Sequence, residues 1–314
     1  MNKSDTVYVA GHTGLVGSAL IRKLKSKGYT NIITAAHTEC DLCDQGAVES
    51  FFADNKPDYV FLAAARVGGI MANLTGKAAF YYDNTMISTN IINSSYKHGV
   101  KKLINLGSSC IYPKLAPQPL KEEYLLTGSL EPTNDAYALA KIGAVKMCRF
   151  YNEQYTTNFL SVMPTNIYGP RDSFDLEKSH VLPALIRKIH EAKTAEKDVV
   201  LWGDGTPKRE FLYVDDLADA LVFLMEKYDY KDVGEIINIG TGIDISIKDL
   251  ASLISEILDF KGTVRWDTEK PNGTPRKLLD VSKMKSLGWI SKTGLREGIE
   301  KTYQWYCKEF HDTV

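Results

Sequence analysis

Residues 6–17 read Thr-Val-Tyr-Val-Ala-Gly-His-Thr-Gly-Leu-Val-Gly. The run Thr6 to Ala10 has the length and apolar character of a buried strand, and residues 14–27 carry helical periodicity that stops at Gly28. Between them Gly11, Gly14 and Gly17 stand in a G-x-x-G-x-x-G frame. Small residues at that spacing let the chain turn sharply, bring its backbone close to a ligand, and pack the helix tightly on the strand. The helix start then offers free N–H groups to an anion. The stretch predicts a first strand, a phosphate-cradling loop and a first helix of a dinucleotide-binding sheet.

The pattern continues outward. Strand-like runs at Asn31 to Ala35, Tyr59 to Ala63, Lys101 to Leu106 and Asn158 to Met163 alternate with helical segments at 45–55, 74–98 and 135–157. Such alternation predicts an α/β fold, a Rossmann-type doubly wound parallel sheet with helices on both faces. After Gly169-Pro170 the pattern loosens, with helices predicted over 180–196, 214–228, 246–259 and 294–310 and short strands over 199–202, 209–213 and Ile236 to Ile239. The expected organisation is a dinucleotide-binding domain from 1–168 with 212–243, and a smaller C-terminal α/β substrate-binding domain from 169–211 with 244–314.

Composition narrows the partners. The 314 residues carry 38 Lys and Arg against 39 Asp and Glu, so no net field draws the chain onto nucleic acid or a membrane surface. A small molecule is the default substrate. The N-terminus has no apolar leader, and the apolar stretches fall short of the ~20 residues that a spanning helix needs. Five irregularly spaced cysteines fit a reducing compartment, so a cytoplasmic protein is expected. Cys40 and Cys43 form a lone C-x-x-C, read as a loop after the second strand, and no metal is expected.

Two further features carry chemistry. Tyr137 and Lys141 are four residues apart in a predicted helix, which places a phenol and an ammonium on one face. A tyrosine of pKa ~10 needs nearby cations to exchange protons at neutral pH. Lys141 and an oxidised nicotinamide would supply them, and Ser108, just past the fourth strand, is placed to hydrogen-bond a substrate oxygen. The second strand ends Thr34-Ala35-Ala36-His37-Thr38 with no acid until Glu39. An acid there would hold a ribose 2′-hydroxyl, so its absence admits a 2′-phosphate and favours NADP(H), with His37 contributing partial positive charge.

With GHTGLVG from Gly11, the Ser108 to Tyr112 segment, YALAK from Tyr137 and the Val214-Asp215-Asp216 helix start, the chain resembles the extended short-chain dehydrogenase/reductase family. The strings LGSSCIYPK from Leu106, SLEPTNDAYALAK from Ser129, VMPTNIYGP from Val162, SHVLPAL from Ser179 and KPNGTPRKLLD from Lys270 are similar to its epimerase-reductases of GDP-linked sugars. The resemblance covers nearly the whole chain. It implies conversion of GDP-4-keto-6-deoxy-D-mannose by C3/C5 epimerisation and NADPH-dependent C4 reduction, or turnover of another GDP-linked 4-keto sugar such as a 6-deoxy-heptose.

Carried over by position, the resemblance implies catalytic roles for Ser108, Cys110, Tyr137, Lys141 and His180. In the related dehydratases Asp and Glu occupy the positions of Ser109 and Cys110; a thiolate there suits removal of the acidic C–H beside a ketone instead. Taken alone, Cys110 reads more readily as a small buried apolar side chain and His180 as a helix-cap or surface histidine. The cofactor is expected along Gly11, His12, Thr13, Gly14, Leu15, Val16 and Gly17, then His37, Asp41 and Leu42, then Leu106, Gly107, Ser108 and Ser109, with Lys141, Pro164, Thr165, Asn166, Ile167 and His180. Lys188, Trp202, Arg209 and Asn272 are expected to hold the GDP part, with Arg276 and Lys277 as weaker candidates for its diphosphate. Thr13 and His37 stand where the family often has Arg, Lys188 replaces the usual Arg, Asn272 the usual Asp, and Ser173-Phe174-Asp175 the usual Asn-Phe-His. The family forms homodimers through long helices corresponding to 74–98 and 135–157.

Overall fold

The computed structural model describes residues 1–176, 179–270 and 272–310. Its centre is a sheet of six parallel strands: β1 (Val7–Ala10), β2 (Ile32–Ile33), β3 (Tyr59–Leu62), β4 (Lys102–Leu106), β5 (Phe159–Pro164) and the later β9 (Ile236–Ile239). Their spatial order is β2-β1-β3-β4-β5-β9. The order reverses between β1 and β3, and the carboxyl ends of these two strands open the crevice where open α/β sheets bind ligands. The doubly wound parallel sheet expected from the sequence is thus the fold found.

Alternation along each strand builds two cores. Val7, Val9, Phe61, Ile104 and Leu160 point to one face, covered by α1 (Leu15–Ser26) and α7 (Val214–Lys227). Tyr8, Ala10, Val60, Leu62 and Leu103 point to the other, under α2 (Gln45–Asn55), α4 (Lys77–Lys97) and α5 (Asp135–Tyr155). Between β3 and α4 lies the short α3 (Ile70–Thr75). The long helix predicted over 74–98 is found as α4, its first two predicted positions belonging instead to the end of α3. Gly76 ends one and begins the next, and a Cβ there would come within 3.3 Å of the Phe80 ring, so the break is packed as well as flexible.

The second sheet is built from β6 (Asn166–Tyr168), β8 (Lys208–Tyr213), β10 (Asp244–Ser246) and β12 (Arg276–Lys277). A separate parallel pair joins β7 (Val199–Trp202) to β11 (Val264–Asp267). The helices α6 (Val181–Thr194), α9 (Ile247–Ile257) and α11 (Leu295–Phe310) close a further core around Leu185, Ile186, Ile254 and Ile299; the short α8 (Tyr230–Val233) and α10 (Ser282–Ser286) flank β9. Among the described residues no helix is long and apolar enough to cross a membrane.

A buried lysine locks the central sheet to α7. Lys102 in β4 is 3% exposed, and its Nζ donates to the carbonyls of Leu224 at 2.8 Å and Met225 at 3.0 Å. The Leu224 carbonyl also accepts from the Tyr228 N–H that caps the helix, whereas the carbonyls of Met225 and Tyr228 lie past the last turn and rely on the lysine. Burial draws the Lys102 pKa down, and Asp229 at 3.6 Å partly restores it. Lys102→Met orphans these acceptors, so it is expected to lower the unfolding free energy by about 2–4 kcal/mol, read from urea titration.

Candidate active site

The glycine loop has the geometry that its sequence demands. Gly11 takes a left-handed φ of +83°, and a Cβ on it would sit 2.7 Å from the backbone of Ala64, just beyond β3. A Cβ on Gly17 would lie 2.1 Å from the Gly11 carbonyl oxygen. Gly14 caps α1 without a side-chain hydrogen bond, and the first turn holds no acid. The N–H groups at Leu15 and Val16 therefore face an uncompensated positive helix end, which fits a dinucleotide pyrophosphate. His12 and Thr13 form the lip of the loop. His37 is 82% exposed and lies 3.7 Å from Asp41, whose carboxylate also accepts from the Cys43 N–H. Leu42 packs into the core beneath this edge. Cys40 and Cys43 lie in the loop between β2 and α2, where burial pushes both thiols up.

Beyond β4 the chain passes through Gly107, whose N–H donates to Val162, into a single 3-10 turn over Ser109–Ile111. A Cβ on Gly107 would meet the end of the Met163 side chain and come within 3.1 Å of the Val162 carbonyl oxygen. Ser108 starts the turn, its Oγ accepting from the Cys110 N–H at 3.2 Å. That turn delivers Ser108 and Cys110 toward the first turn of α5, where Tyr137 stands. Phe80 of α4 meets the Tyr137 ring edge-on, with centroids 6.5 Å apart.

Burial pushes the Tyr137 phenol well above its ordinary value; the Cys110 charge raises it further and Ser108 pulls it back. The phenol is thus held protonated at neutral pH. Lys141 sits one turn on, its Nζ donating to the Leu106 carbonyl at 2.8 Å and lying 5.8 Å from the Tyr137 ring centre. Burial lowers the Lys141 pKa to about 8. The sequence suggested a lysine that acidifies the phenol directly. In the structure the amine is bound to the end of β4, and its influence on Tyr137 is not among the causes of the phenol's shift.

Cys110 is the point at which three parts of the chain meet. Its sulfur receives Asn134 Nδ2 at 3.2 Å and Lys277 Nζ at 3.7 Å. The Arg209 guanidinium, lowered by burial, is raised by its interaction with Cys110. Asn134 was not expected. It is the residue before α5, and only the fold of that helix against the 3-10 turn places it here. Lys277, read from sequence as a weak diphosphate ligand, reaches the thiol instead.

Glu210 holds this corner together and also escaped the sequence reading. It is fully buried, its carboxylate accepting from the N–H groups of Thr241 at 2.6 Å, Gly242 at 2.7 Å and Leu279 at 2.9 Å. Burial raises its pKa while these bonds restrain it. Its own carbonyl accepts from Thr165 and Asn166, so the segment Pro164, Thr165, Asn166 and Ile167 is tied to β8 as it leaves the main sheet.

His180 is the residue before α6, and its side chain makes no capping bond. Among the described residues no hydrogen bond or ion pair joins its ring to Cys110 or Tyr137. The residue is exposed at the cleft wall, while desolvation by the surrounding protein draws its pKa down and favours the neutral ring. Lys188 of α6 places Nζ 5.5 Å from the ring centre of Trp202, which is 56% exposed and has Lys270 Nζ at 5.8 Å as well. Asn272 directs its Oδ1 to the N–H of Asp204 at 2.9 Å, bracing the turn after Trp202. Arg276 is paired with Asp244.

Comparison with known proteins agrees with this geometry. The model of the NAD dependent epimerase/dehydratase family matches residues 7–240. GDP-L-fucose synthase 1 of Arabidopsis thaliana is 56% identical over 308 residues, covering 98% of this chain and 94% of the relative. GDP-L-fucose synthase of Escherichia coli (strain K12) is 50% identical over 310 residues, covering 96% of each. Among solved structures, a GDP-6-OMe-4-keto-L-xylo-heptose reductase from C. jejuni superposes with a TM-score of 0.95 at 40% identity, covering 98% of this chain and 99% of that one. A GDP-L-fucose synthetase from Naegleria fowleri bound to NADP superposes at 0.90 and 31% identity, covering 100% and 97%. With its glycine loop, its Ser–Tyr–Lys set and relatives matched end to end, this chain belongs to the NAD dependent epimerase/dehydratase family, within the extended short-chain dehydrogenase/reductases.

Proposed function

We propose that this chain converts GDP-4-keto-6-deoxy-D-mannose to GDP-L-fucose by epimerising C3 and C5 and then reducing C4 with NADPH. The observation that carries the reading is the approach of the Cys110 thiol to the protonated phenol of Tyr137 beside Ser108. A base for C–H bonds and an acid for a ketone oxygen thereby share one site. The relatives named GDP-L-fucose synthase support the sugar, and the NADP-bound neighbour supports the cofactor.

The ketone at C4 makes the neighbouring C–H bonds acidic. Cys110 as thiolate takes a proton from C3 or C5, and the electron pair moves onto the ketone oxygen, where Ser108 and Tyr137 hold the enolate by hydrogen bonds. His180 returns a proton to the opposite face, which inverts the centre. The glycine loop, His37, Asp41, Lys141 and the Pro164 to Ile167 segment would hold the dinucleotide, which when bound would supply the hydride for C4. Tyr137 gives its proton to the C4 oxygen. Lys188, Trp202, Arg209 and Asn272 orient the GDP moiety, with cations for the diphosphate and an indole face for the base.

In this reading residues 1–168 with 212–243 bind the dinucleotide, and 169–211 with 244–314 bind the GDP-sugar. The chain pairs with a second copy in a reducing, cytoplasmic compartment. Exposed Tyr81, Tyr82, Tyr96, Phe150 and Tyr155 on α4 and α5 support the pairing, and light scattering tests it. The C. jejuni neighbour supports the rival sugar, a GDP-linked 4-keto heptose. Product analysis after incubation with NADPH and either ketosugar decides between them: GDP-L-fucose from the deoxyhexose is expected, and preference for the heptose overturns the assignment.

A further inference from the structure

A base that works as a thiolate needs a reason to be one, because an ordinary free thiol, of pKa ~8.5, is mostly protonated at neutral pH. Several charged groups face the Cys110 sulfur or line its side of the cleft. Lys114 is neutralised by Glu131 at 3.1 Å, and Arg276 by Asp244. Tyr137 is held neutral. Arg209 interacts with the sulfur electrostatically while its Nη1 donates to the Lys208 carbonyl. That leaves Lys277. Its Nζ lies 3.7 Å from the sulfur, and among the described residues no carboxylate is within ion-pairing distance of it.

The lysine is fixed from both sides. Strand β12 pairs Lys277 with Arg209 of β8. Immediately after it, the Leu278 N–H donates to Gln118 at 2.9 Å, the Leu279 N–H donates to the buried Glu210 at 2.9 Å, and Leu120 donates to the Leu278 carbonyl at 2.7 Å. A flexible side chain on so constrained a backbone can keep its charge against one partner.

We propose that Lys277 is a positioning residue for epimerisation, whose ammonium keeps the Cys110 sulfur in its thiolate form and, with Asn134 Nδ2, aims it at the substrate C–H. The proposal rests on the reading of Cys110 as the base. The ammonium is not consumed: the proton that leaves carbon goes to sulfur, and Lys277 keeps its own.

Alkylation of Cys110 by iodoacetamide, followed by peptide mass spectrometry across pH on the full-length protein with NADPH, reads the charge of the sulfur without turnover. The wild-type midpoint is expected well below that of a free thiol. Lys277→Gln keeps length and a donor but removes the charge, so its midpoint is expected about one to three pH units higher. Alkylation at pH 7 should then slow by at least about ten-fold. Lys277→Arg should restore it to within a few-fold. The pH profile of solvent deuterium entry at C3 and C5 should move in the same direction. A wild-type midpoint at the free-thiol value overturns the proposal whether or not the variants fold, as does a Lys277→Gln midpoint equal to the wild type. A low midpoint in a protein that places no deuterium in its product would instead refute the epimerase reading and leave the thiolate assignment standing.

Discussion

Tyr137→Phe is expected to lose NADPH-dependent reduction by about 10²- to 10⁴-fold while still exchanging the C3 and C5 hydrogens of the ketosugar for solvent deuterium. The range is what a positioned proton donor contributes to a carbonyl reduction. The phenol is held protonated by burial and by the Cys110 charge, so it carries the proton that the far more basic C4 oxyanion takes up. Proton removal from carbon uses the sulfur and leaves the phenol's proton in place, hence the split. The fold should survive, because Ser108 Oγ keeps its bond from the Cys110 N–H when the phenolic hydroxyl goes. Consumption of NADPH gives the reduction rate, and mass spectrometry of recovered ketosugar gives the exchange. Reduction at the wild-type rate by Tyr137→Phe would remove Tyr137 from the mechanism. A pH dependence follows from the same corner. Lys141, lowered to about 8 by burial, is an ammonium below that value and an amine above it. As pH rises through about 8 the positive charge that Lys141 would offer the bound dinucleotide is lost, so wild-type reduction should decline on the alkaline side. Exchange at C3 and C5 has no such limb from Lys141.

Much of the central sheet was legible in the sequence because burial imposes a period. Strand β9 and helix α2 have the predicted bounds, and β1 and β4 differ by a residue, since apolar alternation against two helical layers leaves little freedom. The edge strand β2 shrank from the predicted Asn31 to Ala35 to Ile32–Ile33, where the residues are only half-buried, whereas β9 at the opposite edge is buried throughout. The short strands β6, β10 and β12 carry polar sequences such as Arg276-Lys277, and pairing with β8 makes them strands. In the site, local motifs named Ser108, Tyr137 and Lys141, because the turn after β4 and one helical turn fix their spacing. Nothing local could place Lys277 beside Cys110. That contact joins residues 167 positions apart and depends on Glu210, a buried acid whose value lies in three backbone N–H groups from distant segments.

The complement of the Tyr137 result is Cys110→Ala, which is expected to stop deuterium entry at C3 and C5 by about 10²- to 10⁴-fold. The hydride acceptor and the phenol are untouched, so NADPH should still be consumed, slowly, to give a C4-reduced sugar that keeps the configuration of the starting ketosugar at C3 and C5. Cys110 is partly buried and contacts Asn134 and Lys277, so truncation leaves two polar groups facing a cleft already open to solvent, and the fold is expected to hold. Cys110→Ser sharpens the point: the hydroxyl keeps the shape, yet it is far too weak an acid to stand as an anion at neutral pH, so exchange should be lost there too. His180→Asn separates removal of the proton from its return. With the sulfur intact, the C–H proton still reaches Cys110 and exchanges there with solvent. With no imidazole on the far face, the deuteron comes back from the side it left. The expected result is a ketosugar that carries deuterium without inversion. Inversion at the wild-type rate in His180→Asn would place the proton donor elsewhere, and unchanged exchange in Cys110→Ala would place the base elsewhere. The two outcomes test the two faces of the ring independently.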